Sequence, residues 1–407
     1  MIFTEINLFI SVVKQTLNKS TKLNKWRHDF LTEIFMLYMV IPNRINFKQM
    51  GRYSDYGEQR FRNQFKHKYD FMEFNRELTA TYFGKRIAIA FDPSHIDKSG
   101  NKTAYLGSFW SGSDQAVKKG LEISEIAVID IDLHHAFHLE AVQTVPPKTL
   151  KVVSMSLINW YAQIICSRKE ELQKISFLVV ADAYFSKIKF VNPLLYAGFH
   201  VISKLRNDAH LRYKFTGQYP GKGRPSEYAG KIKLDNLDMD IFTKFQFSED
   251  TQAFSAIVNS KSLKRDILVI VERKADQKGK ITQRLIFSTD IKMNPLEVLE
   301  YYHCRFQMEF NFRDAKQAAG LNQCQARDLD KLYFHFNASL TTINVVKAIH
   351  LSDENNRNKP FSISDYKVLY HNAFILNRFI KAFGIKPNAI KSHHHFKELL
   401  YFGIKAA

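Results

Sequence analysis

Apolar residues recur at two spacings along this 407-residue chain, and the change of spacing divides it. Residues 1–84 read as helical. Phe30–Val40 is apolar enough for a buried helix, which Ile41-Pro42 ends. Asn46–Met50 and a run from Asp55 to Lys66 read as two short helices joined by a turn at Gly51, with Asp55 as a cap. From about residue 85 the pattern turns to strands. Arg86–Phe91 ends in Asp92, Glu125–Asp132 and Ala136–Thr144 follow, and Ile175–Ala181 ends in Asp182. A helix over Leu150–Ser167, after Pro146-Pro147, separates the last two.

Residues 199–292 stay strand-rich, with expected strands at Phe199–Leu205, Ile232–Leu234, Ile241–Phe247, Ala253–Asn259, Asp266–Glu272 and Arg284–Ser288. This stretch reads as a β-rich insertion. Helices resume at Pro295, with Asp328–His350 and Ser362–Phe383 as packed members. The fold class is α/β with a mixed sheet. The expected division is 1–84 helical, 85–198 and 293–350 the two parts of one α/β domain, 199–292 the insertion, and 351–407 a helical C-terminal region.

Composition sharpens the function class. The chain is 45% hydrophobic and 14% aromatic, so it folds. Its net charge of +19 calls for a polyanionic partner. No run approaches a membrane span, and MIFTEINLFISVV lacks the basic start of a signal peptide. Nucleic acid is therefore the expected partner, with no membrane role. Three scattered cysteines, Cys166, Cys304 and Cys324, suit reduced thiols in the cytoplasm. Arg60 and Arg62, in the second short helix, suit a helix-turn-helix reader of DNA; an ordinary helical subdomain with a basic face suits them as well.

The chemistry concentrates in YYHCRFQMEFNFRDAKQ. Read as one helix between Pro295 and Gly320, it puts Tyr302, Arg305, Glu309 and Lys316 on one ridge about 60° wide. The apolar stripe Tyr301, Met308, Phe312 and Ala315 beside it sets that ridge at the edge of a core. A carboxylate among cations is what metal-assisted phosphoryl transfer needs. Asp92 and Asp182, each read as the last residue of a buried strand, stand where open α/β sheets bind ligands. With Glu309 they form a set of three carboxylates able to hold two Mg²⁺, or Mn²⁺, about 4 Å apart. Asp97 and Asp132 compete for places in that trio.

Tyr302, Arg305, Glu309 and Lys316 keep every spacing of Y-x2-R-x3-E-x6-K, and behind two strand-end aspartates the chain resembles a DDE transposase of insertion sequence family four. The resemblance implies a ribonuclease H-like catalytic domain interrupted by a β-strand insertion between the second and third acids. Here Glu309 lies 127 positions after Asp182. It implies that Asp92, Asp182 and Glu309 are catalytic and hold the metal, and that Tyr302, Arg305 and Lys316 touch DNA phosphates. It further implies terminal inverted repeats and target DNA as double-stranded partners, and a homodimer in the synaptic complex. The chain departs from the family pattern in Ala183-Tyr184-Phe185 after the second acid and in Pro93 before Ser94. A nuclease of the same fold without strand transfer, and a DNA-binding regulator without catalysis, are the alternatives.

Lesser candidates remain. Lys204 and Arg206, on the strand opening the insertion, and the Lys222-Gly223-Arg224-Pro225 turn suit phosphate contacts. Phe109-Trp110, in a Gly/Ser-rich loop, suits either a stacked base or loop packing. His134, His135 and His138 lack a fourth ligand for zinc and read as a sheet-edge group; His393–His395 read as solvated. No GxxxxGK[ST] loop occurs, which excludes P-loop nucleotide hydrolysis.

Overall fold

The computed structural model describes residues 4–19, 23–215, 217, 227–275, 278–357, 359–386 and 393–404. The 222–225 turn lies outside them. Five helices lead: α1 (Thr4–Lys19), α2 (Lys25–Val40), α3 (Phe47–Tyr53), α4 (Glu58–Gln64) and α5 (Phe71–Thr79). Strands β1 (Ile87–Asp97), β2 (Gly107–Ser111), β3 (Ala116–Asp130) and β4 (His135–Gln143) follow, then α6 (Pro147–Val152), α7 (Leu157–Cys166) and α8 (Lys169–Gln173). Next come β5 (Leu178–Ala181), α9 (Ile188–Tyr196) and β6 (His200–Leu205). Six more strands are β7 (Leu211–Lys214), β8 (Tyr228–Lys231), β9 (Thr243–Ser248), β10 (Thr251–Ser260), β11 (Arg265–Ala275) and β12 (Ile281–Ser288). The chain closes with α10 (Pro295–Cys304), α11 (Gln307–Gln317), α12 (Leu329–Ser352), α13 (Ile363–Ala382) and α14 (His394–Leu400).

All twelve strands join one mixed sheet, ordered β2-β3-β1-β5-β6-β12-β11-β10-β7-β8, with β4 on β3 and β9 on β10. Only β1, β5 and β6 run parallel at its centre. Crossovers between parallel strands need helices, and α7 and α9 pack on one face over Phe91, Val179 and Val201. The other face takes α10 and the start of α11 over Ala90, Val180 and Ile202. A third core joins the N-terminal helices to α12 and α13. α12 is buried on nearly every side, and its inward polar groups are satisfied, for example by Asn337 and Asn344 bonding the β4 backbone. No helix among the described residues is long and apolar enough to cross a membrane.

Several local expectations change. The segment read as one helix over Tyr302–Lys316 is two, α10 and α11, broken at Arg305-Phe306. There the N–H groups of Phe306, Met308 and Glu309 bond three residues back, which tightens the turn and re-aims the axis. Likewise Leu150–Ser167 splits into α6 and α7 around Ser154, at φ 54°. Gly51 lies inside α3, and its value is closeness, since a Cβ there would meet the Glu58 nitrogen at 2.9 Å. The cap of α4 is Gly57, not Asp55. Phe109 and Trp110 sit on β2, paired with β3, not in a loop. β2 and β7 went unforeseen, and the strand expected at Ile232–Leu234 is β8, just before it. Arg206 falls one residue beyond β6.

Candidate active site

The centre of the sheet sets two acids side by side. β1 and β5 pair in parallel through Phe91↔Ala181, so Asp92 and Asp182 follow on neighbouring strands. Strands so paired lie about 4.8 Å apart. Asp92 is not a strand end, however: β1 continues to Asp97 because β3 keeps pairing with it as far as Asp97↔Gly120. Asp182 does leave the sheet, and its carboxylate caps the following 3₁₀ turn by accepting from the Tyr184 N–H at 2.6 Å. Glu309 stands in the first turn of α11 and is exposed.

Asp92, Asp182 and Glu309 line one cleft of about 860 Å³, together with Lys316. Burial pushes the Asp92 carboxyl up to about 8, and the charges of Asp182, Glu309 and Glu125 add to that rise while Arg305 opposes it. Mutual repulsion of this kind is what a divalent cation relieves. Among the described residues the three carboxylates do not bring one oxygen each within 4.8 Å of one another. The donor set, oxygen only and on rigid elements, still fits a hard cation. Glu125, fully buried and opposite Asp92 on β3, adds an Oε2 with no hydrogen-bond partner.

The cationic residues divide. Arg305 places a terminal nitrogen 3.5 Å from Glu309 Oε1, and its buried Nε has no partner. Tyr302 is held above the usual phenol range, first by burial and then by Asp182, with Arg305 opposing. Lys316 reaches back to β1 and donates to Ser94 Oγ at 2.9 Å and His95 O at 3.0 Å. Ser94, offset from Asp92 by Pro93, thus serves the lysine. Lys204 is half-buried on β6, and Arg206 is exposed and paired bidentately with Asp208; neither lines the cleft. Arg60 stacks 3.3 Å from the Tyr56 ring centre, and Arg62 pairs with Glu58. Asp132 is spent on Arg86 and the Lys85 and Arg86 backbone, and Asp97 lines a different cavity.

The histidines also sort themselves. His138 is on β4, which among the described residues pairs with β3 alone, but it is buried against Glu125 and Asn337 and so is a core group, not a surface one. The imidazoles of His393, His394 and His395 are exposed, with one nitrogen each within 4.8 Å of the others.

Sequence reasoning missed the acids on β3. Glu122 lines the cleft and accepts from Tyr161 O–H at 2.5 Å. Glu125 accepts from Asn311 Nδ2 at 3.2 Å, and Lys347 Nζ donates to Asn311 Oδ1 at 2.7 Å. The available signal was two glutamates inside the apolar run LEISEIAVID. Trp110 and Tyr184 stand exposed at the cleft, while Phe109 is buried.

Burial raises Glu122 to about 7, with Tyr161 and Thr144 opposing. A carboxyl raised on folding stabilises most below about pH 4.5, and that contribution is lost as pH climbs through about 7. Glu122→Gln is therefore expected to gain stability relative to wild type between pH 5 and pH 8, on the order of 3 kcal/mol at 1.36 kcal/mol per pKa unit. Urea midpoints of both proteins at the two pH values measure it; an unchanged difference refutes it.

Residues 169–345 match the family model described as Transposase DDE domain. The match takes in Asp182, Tyr302, Arg305, Glu309 and Lys316, while Asp92 lies upstream of it. No curated protein matches the chain.

Proposed function

We propose that this chain, which carries a transposase DDE domain, is a transposase of insertion sequence family four, built on a ribonuclease H-like catalytic core. The observation that carries the proposal is the Phe91↔Ala181 register, which makes Asp92 and Asp182 neighbours, with Glu309 on the same cleft. The four signature residues at 302, 305, 309 and 316 support the family. The helical region 1–84 would bind the element's terminal repeats, and 199–292 would be the insertion, its β6 still continuing the central sheet.

Asp92, Asp182 and Glu309 would hold two Mg²⁺ or Mn²⁺ ions. Such ions, when bound, supply Lewis-acid stabilisation of the attacking and leaving oxygens. The protein's own residues do the rest. Glu309, exposed and held only by a 3.5 Å contact to Arg305, has the rotamer freedom to swing toward the aspartates. Arg305 and Tyr302 then face the phosphate beside the cleaved bond, and Lys316 fixes α11 against β1. Water attacks phosphorus and the bond to the 3′ oxygen breaks, freeing a 3′-hydroxyl. That hydroxyl next attacks a target phosphate, expelling a new 3′ oxygen there. Two ends must meet, so a homodimer on DNA in the cytoplasm is the working form.

The test is an end-containing duplex with Mg²⁺, followed by precut ends with plasmid target. Metal-dependent nicking at the end together with joined product supports a transposase. Nicking without joining would make it a nuclease, and binding without nicking a regulator.

A further inference from the structure

We infer that a notch between the N-terminal helical layer and the end of β1 is a second DNA site, which grips backbone phosphate away from the cleft. It rests on the transposase proposal for its ligand class, but on residues outside the cleft that holds Asp92, Asp182 and Glu309. Five cations line a cavity of about 650 Å³: Arg44 after α2, Arg62 on α4, Lys98 after β1, Arg327 before α12 and Lys331 within it. Asp97 and Asp328 also line it, which leaves an excess of three positive charges. Among the described residues neither acid forms an ion pair with these cations. Asp328 caps α12 by accepting from the Lys331 N–H at 3.2 Å, and Asp97 faces His95 Nδ1 at 3.7 Å.

The cations crowd one another. Lys98 donates to two backbone carbonyls, Cys324 O and Ala326 O, and so is fixed without its charge being cancelled. Its ammonium is held below the usual lysine range, first by burial and further by Arg327 and Arg44, against the Cys324 thiol. Arg44 and Arg327 are both exposed. Arg62 is paired with Glu58, but Arg44 and Arg327 leave two guanidinium groups for a phosphodiester, which arginine can grip through two parallel hydrogen bonds.

Distance ties the notch to the cleft. β1 pairs with β3 without interruption from Ile87 to Asp97. At about 3.3 Å per residue, Lys98 stands roughly 20 Å from Asp92 along the strand. Duplex DNA advances about 3.4 Å per base pair, so that span is about six base pairs. Lys316, anchored at Ser94 and His95, lies on the way. A duplex with its scissile bond at Asp92 and its axis along β1 would set a phosphate in the notch about six base pairs off.

The experiment uses the full chain with Arg44→Gln and Arg327→Gln combined, residues outside the cleft. On a long end-containing duplex the double variant is expected to bind about tenfold more weakly at low salt. The slope of log K against log salt should fall by about two, one per lost phosphate contact. Its cleavage rate at saturating DNA should match wild type. Trimming the duplex to about four base pairs on one side of the scissile bond should abolish the difference, and trimming the other side should preserve it. Equal affinity and slope on the long duplex overturn the inference, as does a difference that survives both trims. Should the double variant melt early, each single variant is expected to lower the slope by about one. If wild type itself binds no DNA, the transposase proposal fails along with the notch; the other adverse outcomes sink the notch alone.

Discussion

Glu309→Gln is expected to leave duplex affinity within about twofold and to cut end cleavage by about three decades or more. The amide keeps the size and the hydrogen-bonding reach of the side chain but not its charge. Glu309 is exposed in the first turn of α11, so folding does not depend on it. Its charge contributes to the repulsion that raises Asp92, and that repulsion is what the proposed divalent cation would relieve. On that proposal, several kcal/mol of Lewis-acid stabilisation would be lost with the ion, at 1.36 kcal/mol per decade of rate. Electrophoretic mobility shifts and a gel cleavage assay on the same DNA separate the two effects. Cleavage within tenfold of wild type would remove Glu309 from the catalytic set.

Lys347→Met is expected to be the most destabilising of the changes considered, by about 3–5 kcal/mol. Lys347 is nearly fully buried in α12 and bonds Ala136 O at 2.7 Å and Asn311 Oδ1 at 2.7 Å. Asn311 in turn donates to Glu125, which stands opposite Asp92. Methionine fills the space but leaves a carbonyl, an amide oxygen and a buried carboxylate short of a donor or a counter-charge. Burial pushes Lys347 down to about 8, with Asp314 and Glu125 opposing, so the wild-type penalty for its charge eases as pH rises above 8. Asn311 lies two residues after Glu309, so losing the tie should also loosen the third acid. The Mg²⁺ midpoint for cleavage is expected to rise severalfold among molecules that remain folded. A chemical melt reads the first effect and a metal titration the second; a drop in stability with an unmoved metal midpoint would confine Lys347 to folding.

The resemblance to a transposase was legible because the motif that carries it is local. Tyr302, Arg305, Glu309 and Lys316 are close in the chain, and their residue types and intervals survive any error about helix geometry. That error was real, since the break at Arg305-Phe306 is made by a change of hydrogen-bond register that side-chain periodicity does not encode. The central strands and long helices were equally plain, because a strand buried on both faces or a helix buried all round leaves an apolar run. Short strands such as β2 at the sheet's edge and β7 beside the edge strand β8 were not, being short and half polar.

What the sequence by itself determined is the class of chemistry and the order of elements: an α/β chain, cationic overall, with two aspartates behind apolar strands and a spaced quartet after them. Only the tertiary structure decided which acids share one cleft. It removed Asp132 to a tie with Arg86, set Asp97 in the lining of another cavity, and brought Glu122 into the cleft and Glu125 opposite Asp92. The physical reason is that a carboxylate's role depends on its neighbours' charges and on lost solvent. Those are set by strand register between segments some ninety residues apart, as in Phe91↔Ala181, and not by any spacing along the chain.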